Sequence, residues 1–182
     1  QRLEAVLGAL RAAEFAGLHW EPAPLGTVDQ VQRVHDAAYV EAVRRAAPAE
    51  GYALLDAGDT VISPGSWNAV MRCVGAACAA VDAVVEGRAD NAFCATRPCG
   101  HHAEASRAMG FCVFNQAAIA ALHARSVHGL QRVAVIDFDV HHGNGTQNSF
   151  WDDPDLFYGS SHQAPFYPGT GARRESGVAG NI

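Results

Sequence analysis

The stretch VAVIDFDVHHGNGTQ, residues 133–147, ends an apolar run in two aspartates, two histidines and two glycines. A second stretch, RPCGHHAE at 97–104, sets another histidine pair in a segment that Pro98 and Gly100 make irregular. Side chains alternate along a strand with a period of two. Asp137, Asp139 and His141 are therefore expected on one face, with Phe138 and Val140 turned the other way into packing. The carboxyl end of a parallel strand is where ligand sites form in α/β sheets. Asp139 and His141 offer a carboxylate oxygen and an imidazole nitrogen, a donor pair suited to a divalent metal. Asp137 suits a different task, accepting the N–H of a histidine and so fixing its orientation. The plainer readings are that an aspartate here caps the next helix and that a single histidine is structural. Three polar groups on one face of an apolar strand are nonetheless costly unless they bind something.

His101 and His102 are either surface polar residues or a pair that divides the work of proton transfer. Each would need its own partner to set tautomer and basicity. Asp137 and Asn144 are available, and a carboxylate favours an imidazolium more than an amide does. Unequal partners let neighbouring histidines hold different protonation states. Other chemistries fit less well. GNGTQN has Asn148 where a dinucleotide fingerprint needs its third glycine. No G-x-S-x-G occurs. A Cys99–His101 nucleophile would leave the Asp139/His141 face unexplained. His19, His35, His123 and His128 have no clustered partners in the sequence and read as structural or surface residues.

The elements that position these residues alternate between helix and strand. Residues 1–16 carry Leu3, Leu7, Leu10 and Phe15 near one helical stripe. Thr27 can cap a short helix, and a further helix runs to Pro48. A long alanine-rich helix is expected over 66–86, with Cys73 and Cys78 as core residues. A short buried strand is expected at 91–97, and a helix over 114–127 closed by Gly129. RVAVIDFDV, 132–140, reads as a strand buried on both faces, followed by a short helix and the strand DLFYGSSH. This order predicts an α/β fold with a parallel sheet.

Composition bounds the function. The chain has 182 residues, 49% hydrophobic, a net charge of −6, and no basic cluster longer than the dipeptides Arg44–Arg45 and Arg173–Arg174. Direct nucleic-acid binding is therefore not expected. No uninterrupted apolar run of about 18 residues is present, so no membrane partner is expected. Five cysteines without a CxxC argue against a disulfide framework and for a reducing compartment, the cytoplasm.

Together with MGFCVFN (109–115), SSH (160–162), YPGTG (167–171), RVHDAAYVEAV (33–43) and SPGSWNAV (63–70), these motifs resemble, in order and spacing, the histone deacetylase / acetylpolyamine amidohydrolase family. The HHGNG form looks like its class II and bacterial branch. The resemblance implies a three-layer arginase/deacetylase-type α/β fold, its parallel sheet flanked by helices. It implies zinc-dependent hydrolysis of an acylated amine, an N-acetyl-lysine or acetylpolyamine-type substrate. Asp139 and His141 match two zinc ligands. His102, beside Asn144, matches the general base and acid, and His101 matches the second histidine, paired with Asp137. Gly110 and Phe111 match the floor and wall of an acyl-lysine tunnel, Tyr167 its opposite wall, and Asp59 a rim aspartate that holds the substrate backbone. A structural potassium would take Asp137, Asp139, His141, Ser160 and Ser161, mostly through backbone oxygens. A second monovalent site would lie near Phe150, Asp153 and Leu156.

Cys99 stands where the family usually has a second proline, and Gln116 where it often has asparagine. Cys99 near the histidines and Cys112 is either a neutral substitution or a redox-sensitive thiol. The family continues past the equivalent of Ile182, and its third zinc ligand, an aspartate, and its oxyanion-stabilising tyrosine lie in that later part. Residues 1–182 are thus expected to form a single partial domain, the N-terminal part of the fold, that binds zinc weakly and turns over little. A catalytically silent acetyl-lysine binding module, a small-molecule amidase and a homo-oligomer stay open.

Overall fold

A computed structural model describes residues 1–182. Helix α1 (Arg2–Ala9) ends at Leu10 and gives way to a single 3-10 turn at Ala13–Phe15, so the expected helix over 1–16 is broken. None of its residues is buried, and no core holds the stripe in line. Helix α2 (Val28–Val31) is capped by Thr27, whose hydroxyl accepts from Gln30 N at 3.1 Å while Gln30 Oε1 accepts from Thr27 N at 2.9 Å. This reciprocal pairing satisfies two N–H groups that a helix start leaves free. Helix α3 (Ala37–Ala46) follows, then the antiparallel pair β1 (Ala53–Leu54) and β2 (Val61–Ile62).

Helix α4 (Ser66–Val85) and helix α5 (Gln116–His128) pack along each other. By length and mean hydropathy (1.5), α4 could cross a bilayer, although it holds no uninterrupted apolar run of about 18 residues. Its apolar side is spent otherwise: Val70, Met71, Val74 and Cys78 are buried with Val31 and Ile119 in the larger core. Asn115 caps α5 by accepting from Ala118 N at 3.1 Å, and Gly129 closes it in the left-handed conformation.

Strand β3 (Val133–Asp137) pairs in parallel with β4 (Leu156–Ser160), and α6 (Asn144–Phe150) connects them. The parallel α/β expectation holds for this unit. Its inner face carries Val133 and Val135, packed with Ala118, Ala121, Phe150, Leu156 and Tyr158. Two strand expectations fail. Residues 91–97 form no strand: neither of the two-stranded sheets includes this segment, and Phe93 is 72% exposed. Backbone extended without a partner strand has no ladder to complete. Strand β3 is also shorter than expected and covered on one face only. Ile136, Phe138 and Val140 are exposed, Phe138 by 87%, because the helices pack on the opposite side. Asp137 ends the strand on its covered face, whereas Asp139 and His141 lie beyond it in the bends that lead to α6, so the period of two does not extend to them.

Candidate active site

The carboxyl end of β3 and the start of α6 assemble the site. The first-turn N–H groups of α6 have no intrahelical partner. Gly145 N and Thr146 N donate instead to the carbonyl of His101, at 2.9 and 3.1 Å. The neighbouring segment is held by buried His35, whose Nδ1–H donates to Glu104 O at 2.9 Å and whose Nε2 accepts from Asn115 N at 2.8 Å. Two backbone anchors therefore fix the loop that carries the histidine pair.

Each histidine of that pair has its own partner. His101 Nδ1–H donates to Asp137 Oδ2 at 2.8 Å, and the same oxygen accepts from Tyr158 O–H at 3.0 Å. Tyr158 Oη in turn accepts from Gly143 N at 3.0 Å. Any Cβ at Gly143 would collide with Asp137 Oδ2, so the chain can pass this close only as glycine. Burial opposes charge on His101, but the hydrogen bond and charge of Asp137, with Asp139 behind it, outweigh burial and raise its pKa. Burial likewise works against the Asp137 carboxylate, and the hydrogen bonds from His101, Asp139 N and Tyr158 keep its pKa below the usual range.

His102 Nδ1 is 2.9 Å from Asn144 Oδ1. The amide orientation is set by acceptors around its nitrogen: Asn144 Nδ2 donates to Glu104 Oε1 at 2.8 Å and to His102 O at 3.3 Å. The oxygen therefore faces His102 and accepts Nδ1–H, leaving Nε2 with a lone pair. Burial, then the positive charge available on His101, pushes the His102 pKa down to about 4. The pair thus contains one imidazole biased toward the cation and one held neutral.

Asp139 Oδ1 lies 3.3 Å from His141 Nδ1, with side chains 50% and 36% exposed. The His141 ring stacks on Phe166 at 5.2 Å between centroids, with 5° between the planes, and stands 6.0 Å from the ring of His102. Tyr167 meets His102 edge-on at 5.0 Å. The turn at Gly110 closes the other side, where both Gly110 and Phe111 have positive φ, 59° and 65°. A Cβ at Gly110 would strike the His102 ring. Asp59 Oδ1 accepts from Gly110 N at 3.1 Å, so Asp59 holds the turn itself, while Phe111 is 56% exposed.

Ser160 sits opposite Asp137 in the strand register, and Ser161 N donates to Asp137 O at 3.0 Å. Asp137, Ser160 and Ser161 therefore meet around one backbone junction. The carbonyls of Phe150, Asp153 and Leu156 converge on Asn181 Nδ2 at 2.8, 2.9 and 2.8 Å. A nitrogen with two hydrogens faces three acceptors there, and Asn181 Oδ1 is buried without a partner.

Two groups were not anticipated from sequence. Tyr158 enters the His101–Asp137 network; it lies two residues before Ser160 on the inner face of β4, so strand alternation was the available signal. His123 and His128, taken above as unclustered, both meet Asp82 Oδ1, at 2.6 and 2.7 Å. Asp82 comes from α4 and the histidines from α5, a juxtaposition that no local spacing encodes. These three are the one group of three or more His, Cys, Asp or Glu donors within 4.8 Å of one another. Arg33 donates to His123 Nδ1 at 2.9 Å, so His123 carries its proton on Nε2, pointed at Asp82. That tautomer completes the network as hydrogen bonds and leaves His123 no lone pair for a cation.

The family model described as Histone deacetylase domain matches residues 1–181. A histone deacetylase-like amidohydrolase of Pseudomonas aeruginosa is 42% identical over 153 residues, which cover 84% of this chain and 40% of that protein. The polyamine deacetylase HDAC10 of Homo sapiens is 41% identical over 139 residues, 74% of this chain and 21% of that protein. The crystal structure of the HDA15 HD domain superposes with a TM-score of 0.90 at 37% identity, covering 98% of this chain and 51% of that one. This chain thus spans about half or less of the length of these three proteins, and the expected arginase/deacetylase-type fold is borne out by the superposition.

Proposed function

The chain belongs to the histone deacetylase family, and from that premise we propose that its site serves hydrolysis of an acylated amine, of the N-acetyl-lysine or acetylpolyamine type. The observation that carries this reading is the unequal pairing of the two histidines, His101 with a carboxylate and His102 with an amide oxygen. His102 Nε2 takes a proton from the attacking water and returns one to the departing amine, so that the amide C–N bond breaks and a free amine and a carboxylate leave. His101, drawn toward the cation by Asp137, supplies positive charge beside the developing oxyanion and discourages protonation of His102 before substrate arrives.

The oxygen and nitrogen donors of Asp139 and His141, side by side and open to solvent, fit two of the four positions that zinc takes. When bound, zinc supplies Lewis acidity to the acyl carbonyl and lowers the pKa of its water. No third carboxylate, thiol or imidazole of residues 1–182 joins that pair. A potassium ion at the junction of Asp137, Asp139, His141, Ser160 and Ser161 would stiffen the same edge. A second monovalent cation near Phe150, Asp153 and Leu156 would compete with the Asn181 amide nitrogen for their carbonyls. Phe111 and Tyr167 would flank the aliphatic stem of the substrate, with Gly110 leaving space beside His102 and Asp59 holding the turn at the rim. Five free thiols support a reducing compartment such as the cytoplasm.

Zinc titration with a fluorogenic acetyl-lysine and an acetylpolyamine substrate tests the proposal. Zinc-dependent release of acetate that His102→Ala lowers at least about a hundredfold supports it. Acetyl-lysine binding with no turnover at any zinc concentration, in residues 1–182 and in any longer form, would favour the binding-module reading.

A further inference from the structure

The loop before His101 and the turn after Met109 each bring a cysteine to one point. Cys112 Sγ lies 3.4 Å from Cys99 Sγ. The carbonyl of Gly110 lies 3.4 Å from Cys112 Sγ and 3.8 Å from Cys99 Sγ. The two thiols therefore surround one backbone oxygen of the turn that flanks His102. The other thiols within hydrogen-bonding reach of a partner face carbonyls: Cys73 meets Pro98 O and Cys94 meets Ala76 O, each at 3.5 Å.

Access to the pair is unequal. Cys99 is partly exposed and Cys112 is fully buried. Their acidities differ in the same sense. The Cys112 S–H donates to Cys99 sulfur and, with the charges of Arg97 and His101, lowers the Cys99 pKa against the opposing effect of burial. Burial and the proximity of Cys99 raise that of Cys112. A lowered, reachable thiol beside a sheltered protonated one is the arrangement of an attacking and a resolving cysteine.

We propose that Cys99 and Cys112 form a peroxide-responsive thiol pair that closes to a Cys99–Cys112 disulfide and loosens the Gly110–Phe111 turn. The Cys99 thiolate attacks one oxygen of hydrogen peroxide. The O–O bond breaks, hydroxide leaves and takes a proton to become water, and Cys99 is left as a sulfenic acid. Cys112 sulfur then attacks Cys99 sulfur, the S–O bond breaks, and the second hydroxide leaves as water with the Cys112 proton. Two thiols lose two electrons and one peroxide becomes two waters. The sulfurs must close from 3.4 Å to a bond of about 2.05 Å. Forming the bond consumes the one S–H left beside Gly110 O and draws both sulfurs toward each other from their places 3.4 and 3.8 Å from that oxygen. The turn keeps its Met109–Cys112 bridge and its Asp59 contact, but Gly110, the first of two successive positive-φ residues, loses the thiol that faced its carbonyl.

The test uses the reduced 182-residue chain, treated with hydrogen peroxide and quenched in time with a thiol alkylator. The expected product has lost two hydrogens, carries a peptide linked through Cys99 and Cys112, and reverts with dithiothreitol. In Cys112→Ser the product changes to a dimedone-reactive sulfenic acid at Cys99, and in Cys99→Ser the sheltered Cys112 stays reduced. Cys99 should react at least about tenfold faster than exposed Cys94. Preferential oxidation of Cys94, or a product unaffected by either substitution, would overturn the proposal. This readout is a mass and stands apart from turnover, so its outcome is independent of the deacetylase reading.

Discussion

The rings of His101 and His102 stand 4.0 Å apart between centroids, tilted by 42°, yet their Nδ1 atoms point to chemically different oxygens. Asp137 receives one and Asn144 the other. Adjacent imidazoles that shared one kind of partner would titrate alike and repel each other as cations. The carboxylate on one side and the amide on the other separate them, and the charge favoured on His101 itself helps keep His102 neutral.

Asn144→Asp should therefore raise the His102 pKa by about 1–2 units. The new carboxylate would stabilise the imidazolium, and it would face Glu104, which the amide now donates to at 2.8 Å. NMR titration of the His102 ring protons in metal-free protein measures this. An unchanged midpoint would show that Asn144 does not set the basicity of His102.

Tyr158→Phe removes one hydroxyl from two buried hydrogen bonds, leaving Gly143 N without its acceptor and Asp137 with one donor fewer. A loss of roughly 1–3 kcal/mol of stability is expected. The urea midpoint measures it, with the His101 titration as a second readout: loss of the Tyr158 donor should leave Asp137 more basic.

His35 makes stability fall with acid. Burial holds its pKa at about 4 against 6.5 for a free histidine, so the unfolded chain takes up the proton first as pH drops. Its contribution is complete above pH 6.5 and is lost progressively down to about pH 4, amounting to about 3 kcal/mol. His35→Gln should flatten the stability profile across that window in denaturant titrations at a series of pH values. A slope as steep as that of the unmodified chain would place the acid sensitivity elsewhere.

Zinc should bind residues 1–182 weakly, since two protein donors fill half of a tetrahedral set. Asp139→Ala or His141→Ala should remove that binding in a competition titration with a chromogenic chelator. Asp82→Ala should not, because the proton on His123 Nε2 is directed by Arg33. Loss of zinc on Asp82→Ala with no loss on Asp139→Ala would move the metal to the α4–α5 cluster.

The sequence by itself determined the polar edge. The apolar run marked the strand that ends in Asp137, motif order carried the family, and local capping signals carried the helix start at Thr27 and the stop at Gly129. These are local rules, satisfied within a few residues of chain. Tertiary structure decided what local rules do not reach. It left residues 91–97 without a strand to pair with, and it uncovered Phe138 and Val140 on the face opposite the helices. It joined Asp82 to His123 and His128 across two helices, set Tyr158 behind Asp137, and brought Cys99 to within 3.4 Å of Cys112. Each of these depends on which separate elements become neighbours, and that is settled by packing of the whole chain, because burial and hydrogen-bond completion are properties of an environment and not of a residue.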